Sequence, residues 1–302
     1  MKKKIIIAGG SGFIGQELAN YFKDKFHVII LTRGNSKIEN GITFVNWDAK
    51  HLGNWVAELE GAEALINLTG KSVDCRYNEA NKAEIYASRL DSTAVLGEAI
   101  KQCKQKPKVW MNAASGTIYR NEYEKPNTET DGIIGEGFSV DVCQKWEQSF
   151  YSFSFNEVRQ INLRIAIVLQ KDKSVMIPFK NLAKFGLGGK AGSGKQMFSW
   201  IHIADFCSAI DYFINNNNCA GTYNLASPNA VTNAYFMQLL REKLNMPIGI
   251  NQPKWLLEIG AWLINTETEL LLKSRWVYPE RFIKDGFEFK FKRIEDAILS
   301  LI

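Results

Sequence analysis

The chain has little cysteine, little histidine and no block of like charge, and each shortage removes a class of function. Its five cysteines (Cys75, Cys103, Cys143, Cys207 and Cys219) form no C-x-x-C pair, and none stands at a ligand-like spacing from the three histidines. No metal site is expected, and free thiols in a reducing cytoplasm are the simplest account. No apolar run is long enough to cross a bilayer, so no membrane partner is expected. Met1-Lys2-Lys3-Lys4 ahead of Ile5 to Ala8 has the outline of a signal peptide, but the run is short and leads into glycines instead of a cleavage site. The expected address is the cytoplasm. A formal net charge of +5 is mild, and the lysines are scattered, which gives no footprint for nucleic acid. With 46% hydrophobic and 23% charged residues, the chain has the material for an ordinary soluble core.

What is present is concentrated at the front. Ile5 to Ala8 is a short, β-branched apolar run of the kind that forms a fully buried parallel strand. Glycines follow at Gly9, Gly12 and Gly15, then Phe13, Ile14, Leu18, Tyr21 and Phe22 fall at helical spacing. Strand, glycine turn and helix in that order form the dinucleotide fingerprint. Gly9 permits the tight turn, Gly12 lets a pyrophosphate approach the backbone, and Gly15 lets the helix pack closely. The phosphates would rest on the unpaired N–H groups at the helix start. A plain glycine-rich turn is the alternative.

A second strand, His27 to Leu31, ends in Thr32-Arg33-Gly34-Asn35. An acid at this place selects a free ribose 2′-hydroxyl, whereas an arginine accommodates a 2′-phosphate. There is no acid, and Arg33 is in place, so NADP is the expected cofactor; a solvated loop arginine is the bland reading. Ile42 to Trp47 is a third strand ending at Asp48, which either lies near the adenine or caps the next turn. Ala64 to Leu68 is a fourth, followed by Thr69-Gly70-Lys71, whose small residues would let a ligand lie across the sheet. Asn78 to Lys104 has a long helical pattern carrying Glu84 and Arg89. Lys108 to Ala113 is a fifth strand opening into Ser115 to Arg120. A helix through Trp146 and Phe150 precedes strand-like Val158 to Leu169. This alternation predicts an α/β fold, a doubly wound parallel sheet. Beyond it, the glycine-rich Phe185 to Gly194 has no strand before it and reads as a loop beside the substrate cleft. Ser199 to Asp205 leads into a helix, Thr222 to Leu225 is a further strand, and from Val231 the chain is helical with proline breaks.

Gly9 to Gly15, Ser115 to Tyr119 and Ser199 to Asp205 together resemble the extended short-chain dehydrogenases/reductases. The finer resemblance is to a branch called the NAD(P)-dependent epimerase family. It rests on Asn67-Leu68-Thr69-Gly70, Arg76-Tyr77, Ser88-Arg89, Trp146-Glu147, Pro178-Phe179, the run from Gly186 to Asp205, and the ending Pro279 to Phe289. It implies a Rossmann-type domain over residues 1–170, completed by about 199–226. A smaller C-terminal substrate lobe would take 171–198 and 227–302. It also implies NADP as cofactor: Thr32 and Arg33 at the 2′-phosphate, Leu68, Thr69 and Gly70 on the adenosine side, and Glu84 and Arg89 nearby. Folds of this kind pair through long helices, so a homodimer is the expected assembly.

The resemblance breaks at the chemistry. Superfamily enzymes use a serine, a tyrosine, and a lysine four residues after the tyrosine. Ser115 matches the serine, but counting back from Glu147 places the other two at Ser139 and Cys143. Tyr119, four residues after Ser115, is the candidate replacement for the proton donor, with Lys145 and His202 as weaker ones. The expectation is an NADP(H)-binding oxidoreductase or epimerase acting on a nucleotide-sugar or a small carbonyl or hydroxyl compound, with Ser115 and Tyr119 catalytic. The alternative is a redox sensor that binds NADP(H) without turning it over.

Overall fold

The computed structural model describes residues 2–263 and 269–302. Its centre is an eight-stranded sheet. In chain order the first elements are β1 (Lys4–Ala8), α1 (Phe13–Phe22), β2 (His27–Thr32), β3 (Lys37–Glu39), β4 (Ile42–Asn46), β5 (Ala64–Asn67), α2 (Glu79–Gln102), β6 (Val109–Ser115), α3 (Phe138–Tyr151) and β7 (Arg159–Ile165). Then come β8 (Ile167–Leu169), α4 (Met176–Lys184), β9 (Met197–Phe198), β10 (Trp200–His202), α5 (Ile203–Asn215) and β11 (Gly221–Leu225). The last are β12 (Val231–Thr232), α6 (Asn233–Lys243), α7 (Lys254–Leu263), α8 (Glu269–Leu272), α9 (Glu280–Lys284) and α10 (Ile294–Leu301). The sheet order is β11-β7-β6-β5-β1-β2-β4-β3, parallel except for the edge strand β3.

The chain runs from β1 outward through β2 and β4, then returns to β5 on the other side of β1 and continues through β6, β7 and β11. The reversal lies between β1 and β5, where open α/β sheets hold ligands at the carboxyl ends of their strands. Both faces are covered, as the two-residue period of β1 requires. Ile5 and Ile7 pack with α1 (Leu18, Phe22) and α5 (Phe206, Ile210, Phe213). Ile6 and Ala8 pack on the opposite face with α2 (Val95, Leu96, Ile100) and Phe150 of α3.

The strand-like stretch Val158 to Leu169 is two elements. β7 stays in the main sheet, whereas β8 leaves it to pair with β10. That departure starts a second core in which Met176 and Phe179 of α4, Phe198, Phe236 of α6 and Ile298 of α10 pack together. The glycine-rich run belongs to this region. Its Gly189 and Gly192 N–H groups bond the carbonyls of Ile250 and Gln252, and a side chain at Gly189 would strike the Ile250 backbone at 2.4 Å. Phe282, Phe287 and Phe289, by contrast, pack into the core under the sheet.

Candidate active site

The glycine turn is built from backbone alone. Gly9 has φ +71°, and a Cβ there would stand 2.9 Å from Thr69 Cα, so the turn lies directly against the end of β5. At Gly15 a Cβ would stand 2.4 Å from Gly10 Cα, which fixes how closely α1 approaches the turn. Gly12 differs: the nearest atom to its Cβ position is the Gly9 oxygen at 3.7 Å. Gly12 also occupies the N-cap of α1, where no side chain accepts a hydrogen bond and no acid stands in the first turn. The helix therefore presents uncapped N–H groups and its positive dipole end to an open space. Phe13 and Ile14, half-buried, anchor the first turn on the core.

At the end of β2, the Thr32 hydroxyl accepts the Gly34 N–H at 3.2 Å, and Asn46 holds the Gly34 carbonyl at 2.8 Å. The loop is thereby fixed while Arg33 stays exposed, with no ion pair among the described residues. Asp48 takes the second of its two readings. Its carboxylate accepts the N–H groups of Lys50 and His51 and pairs with the His51 ring, which holds its pKa well below the usual carboxylate range.

Along the end of β5, Asn67 Oδ1 accepts the Thr69 N–H at 3.0 Å while its amide donates to Asn112 at 2.8 Å. Buried Asn67 thus sets the backbone of Leu68, Thr69 and Gly70, and Leu68 continues the pairing by donating to the Ala8 carbonyl. The Thr69 hydroxyl is buried with no hydrogen-bond partner. An orphaned hydroxyl between β5 and the glycine turn is costly unless a ligand satisfies it. Arg89 lies against Gly70, its Cζ 3.2 Å from where a Cβ would be, and 5.0 Å over the Trp146 ring. It donates to the Ile85 carbonyl at 3.1 Å and has no carboxylate partner among the described residues; burial holds its pKa below the ordinary value. Glu84 is exposed and joined to Lys71, whose ammonium holds the carboxyl below its usual range.

The uncapped helix start at Gly12 and the end of β5 that carries the buried, partnerless Thr69 hydroxyl lie at the sheet's reversal point, where Gly9 packs on Thr69. These residues fit a dinucleotide.

At the end of β6, Ser115 Oγ accepts the Thr117 N–H at 3.2 Å, capping the tight turn Gly116–Ile118. Ser139, where the superfamily tyrosine would stand, donates to Glu269 at 3.1 Å and meets the Tyr77 hydroxyl at 3.4 Å. Cys143, at the lysine position, is buried, and burial pushes its thiol up to about 12. Neither residue can do the work of the missing pair.

Tyr119, the expected proton donor, has its hydroxyl fully engaged by protein groups. Its ring is buried, and its hydroxyl shares a proton between the Thr128 carbonyl (3.0 Å) and Asn224 Oδ1 (2.9 Å) while accepting from Arg164 at 2.8 Å. Arg164 in turn grips Glu147 through two hydrogen bonds of 2.8 Å. Lys145 pairs with Asp141 on the surface. His202 caps α5 by accepting the Ala204 N–H and touches Ser300, and burial pulls its pKa down to about 4.

The C-terminal segment supplies groups that the sequence reading did not single out. Lys273 Nζ donates to the Thr117 carbonyl at 2.9 Å, Arg275 Nε donates to the Thr117 hydroxyl at 3.1 Å, and Ser274 accepts from Met197 and donates to the Glu122 carbonyl. Burial holds both cations below their ordinary pKa values. No spacing within Lys273-Ser274-Arg275 marks it, because its partners lie far back in the chain. Among the described residues no cluster of side chains is arranged to hold a metal, and no helix is long and apolar enough to cross a membrane.

Comparison with known proteins places this geometry among relatives. The model of the NAD dependent epimerase/dehydratase family matches residues 5–134, and that of a domain of unknown function (DUF1731) matches residues 252–301. Epimerase family protein SH2119 of Staphylococcus haemolyticus is 30% identical over 302 residues, 99% of each chain. Among solved structures, human epimerase family protein SDR39U1 (isoform 2) with NADPH superposes at a TM-score of 0.87, with 27% identity over 99% of this chain and 98% of that one. A nucleoside-diphosphate sugar epimerase from Corynebacterium glutamicum superposes at 0.80, with 25% identity over 100% of this chain and 58% of that one.

Proposed function

This chain belongs to the NAD-dependent epimerase/dehydratase family, an extended short-chain dehydrogenase/reductase branch, and on that premise we propose that it is an NADP(H)-dependent oxidoreductase or epimerase acting on a nucleotide-sugar or a small carbonyl or hydroxyl compound. The observation that carries the proposal is the uncapped helix start at exposed Gly12, at the sheet's reversal point, with the buried and partnerless Thr69 hydroxyl on the strand end against the same glycine turn. The pyrophosphate rests on the N–H groups after Gly12, Thr69 bonds the ligand crossing β5, and Thr32 with the unpaired Arg33 takes the 2′-phosphate. The NADPH held by the human relative supports this choice of cofactor. The bound nicotinamide supplies or accepts a hydride. Ser115, whose Oγ lone pair already takes the Thr117 N–H, keeps its proton free to orient a substrate oxygen.

Fluorescence titration with NADPH and NADH, in the wild type and in Arg33→Asp, tests the reading. Loss of a charge-assisted phosphate contact should weaken NADPH by about 10- to 100-fold and NADH by less than about threefold. Equal losses would remove the basis for the 2′-phosphate assignment, and no binding of either cofactor by the wild type would sink the proposal.

Ser139 and Cys143 favour a second reading, a sensor that binds NADP(H) without turnover. Following the oxidation of bound NADPH against sugar nucleotides and small carbonyls separates the two.

A further inference from the structure

The sheet domain lacks the usual lysine, yet an ammonium stands at the same end of the sheet. Lys273 follows α8, and its side chain is only 6% exposed. Its Nζ bonds the carbonyl of Thr117, the residue whose N–H bonds Ser115. It also lies 3.7 Å from Glu269, which accepts from Ser139, and Ser139 meets Tyr77. A continuous line of polar groups thus runs Tyr77, Ser139, Glu269, Lys273, Thr117, Ser115. It passes through Ser139, the position of the superfamily tyrosine, and the Lys273 charge acts on the Cys143 thiol at the lysine position. The charged and titratable groups acting on Lys273 are Glu269 from α8, Cys143 from α3 and Arg275 from its own segment. Glu269 favours the ammonium, while burial, the larger effect, and Arg275 favour the neutral amine. A lysine so placed gives up a proton more readily than an exposed one.

Resting on the cofactor reading above, we propose that Lys273 is the lysine of the reaction centre, carried to the place left by Cys143 from the C-terminal domain. Its Nζ meets the cofactor's nicotinamide–ribose end and exchanges a proton with the substrate oxygen. In carbonyl reduction a hydride from a reduced nicotinamide forms the new C–H bond, and the carbonyl π pair moves to oxygen. The oxygen takes one proton from Nζ, and the neutral amine recovers its proton from water. In the oxidising direction the neutral Nζ amine takes the hydroxyl proton as the hydride leaves to an oxidised nicotinamide, and the ammonium so formed returns the proton to water.

The test needs no substrate. In protein labelled with ¹⁵N-lysine, the Lys273 Nζ resonance is the one missing from Lys273→Arg. It should titrate below the ordinary lysine range and move when NADPH saturates the protein. Lys273→Met should weaken NADPH roughly tenfold, as loss of a charged hydrogen bond does, and Lys273→Arg should weaken it less. If Lys273→Met does not fold, the wild-type and Lys273→Arg measurements decide. A resonance that NADPH leaves in place, in a wild type shown to bind NADPH, overturns this inference alone and makes Lys273 a structural tie. A wild type that binds neither NADPH nor NADH removes the cofactor reading and this inference with it.

Discussion

The two ends of the proposed site are made of different material. The cofactor end is backbone: a glycine turn, an uncapped helix start and a strand end, with one orphaned hydroxyl. The proposed reaction end is side chains, gathered from the end of β6, the start of α3 and the segment after α8. Backbone geometry depends on which residues stand next to one another, so it survives change elsewhere in the chain. A side-chain assembly depends on each contributor and on the packing that delivers it. In this chain the glycines match the fingerprint, while Ser139 and Cys143 stand where the resemblance places the tyrosine and lysine.

The largest effect should come from breaking the backbone half. Gly15→Ala puts a Cβ at 2.4 Å from Gly10 Cα, backbone against backbone, where nothing flexible can give way. We expect a loss of about 3 kcal/mol in denaturant unfolding, of the order seen for overpacked cores, together with loss of NADPH binding. Gly12→Ala sharpens the point. Its Cβ meets nothing nearer than 3.7 Å, and φ −73° suits alanine, so stability should fall by less than about 1 kcal/mol while NADPH binding fails. If Gly12→Ala binds NADPH as well as the wild type, the pyrophosphate does not pass over that residue.

The same contrast explains what the sequence made legible. β1, the glycine turn and α1 are determined within one short stretch, Lys4 to Phe22, by a buried apolar run, a glycine spacing and a helical period. Arg33 was legible because its place at the end of β2 follows from the strand. The split of Val158 to Leu169 was not, because only Ala166 stands between the halves, with no turn residue to mark a break, and only the partners, β6 and β11 against β10, separate them. The partners of Tyr119 were not legible from its spacing to Ser115, since Arg164 and Asn224, which hold its hydroxyl, lie 45 and 105 residues away. Lys273 meets Thr117 across 156 residues, and no local pattern carries such a contact.

Assembly from side chains also brings pH dependence. His202 joins α5 to α10 through Ser300, and its ring lies tilted against Phe291 with centroids 3.8 Å apart. The folded protein keeps it neutral down to about pH 4, whereas an unperturbed histidine, as in the unfolded chain, takes up its proton near 6.5. Between those values the unfolded state binds more protons. The contribution is therefore complete above 6.5 and is lost as the pH falls toward 4, amounting to about 3 kcal/mol. His202→Asn keeps an N-cap acceptor but cannot titrate. Unfolding free energies measured from pH 7 to pH 4 should fall less steeply in the variant than in the wild type. Parallel slopes would mean that His202 is protonated in the folded protein.

Tyr119→Phe gives the smallest effect and divides structure from chemistry most cleanly. Removing the hydroxyl leaves Asn224 Oδ1 without its donor and Arg164 held by Glu147 alone, which should cost about 1 kcal/mol in unfolding free energy. The ring stays in its pocket beside Ile118, Val140 and Val277, so NADPH affinity should be unchanged. A tyrosine that supplied the proton would instead cost about 100-fold or more in turnover while leaving stability nearly intact. A stability loss without a rate loss keeps Tyr119 on the structural side of the comparison. The opposite pattern would move it to the reaction end, and its bonds to Thr128, Asn224 and Arg164 would then have to open for substrate to reach it.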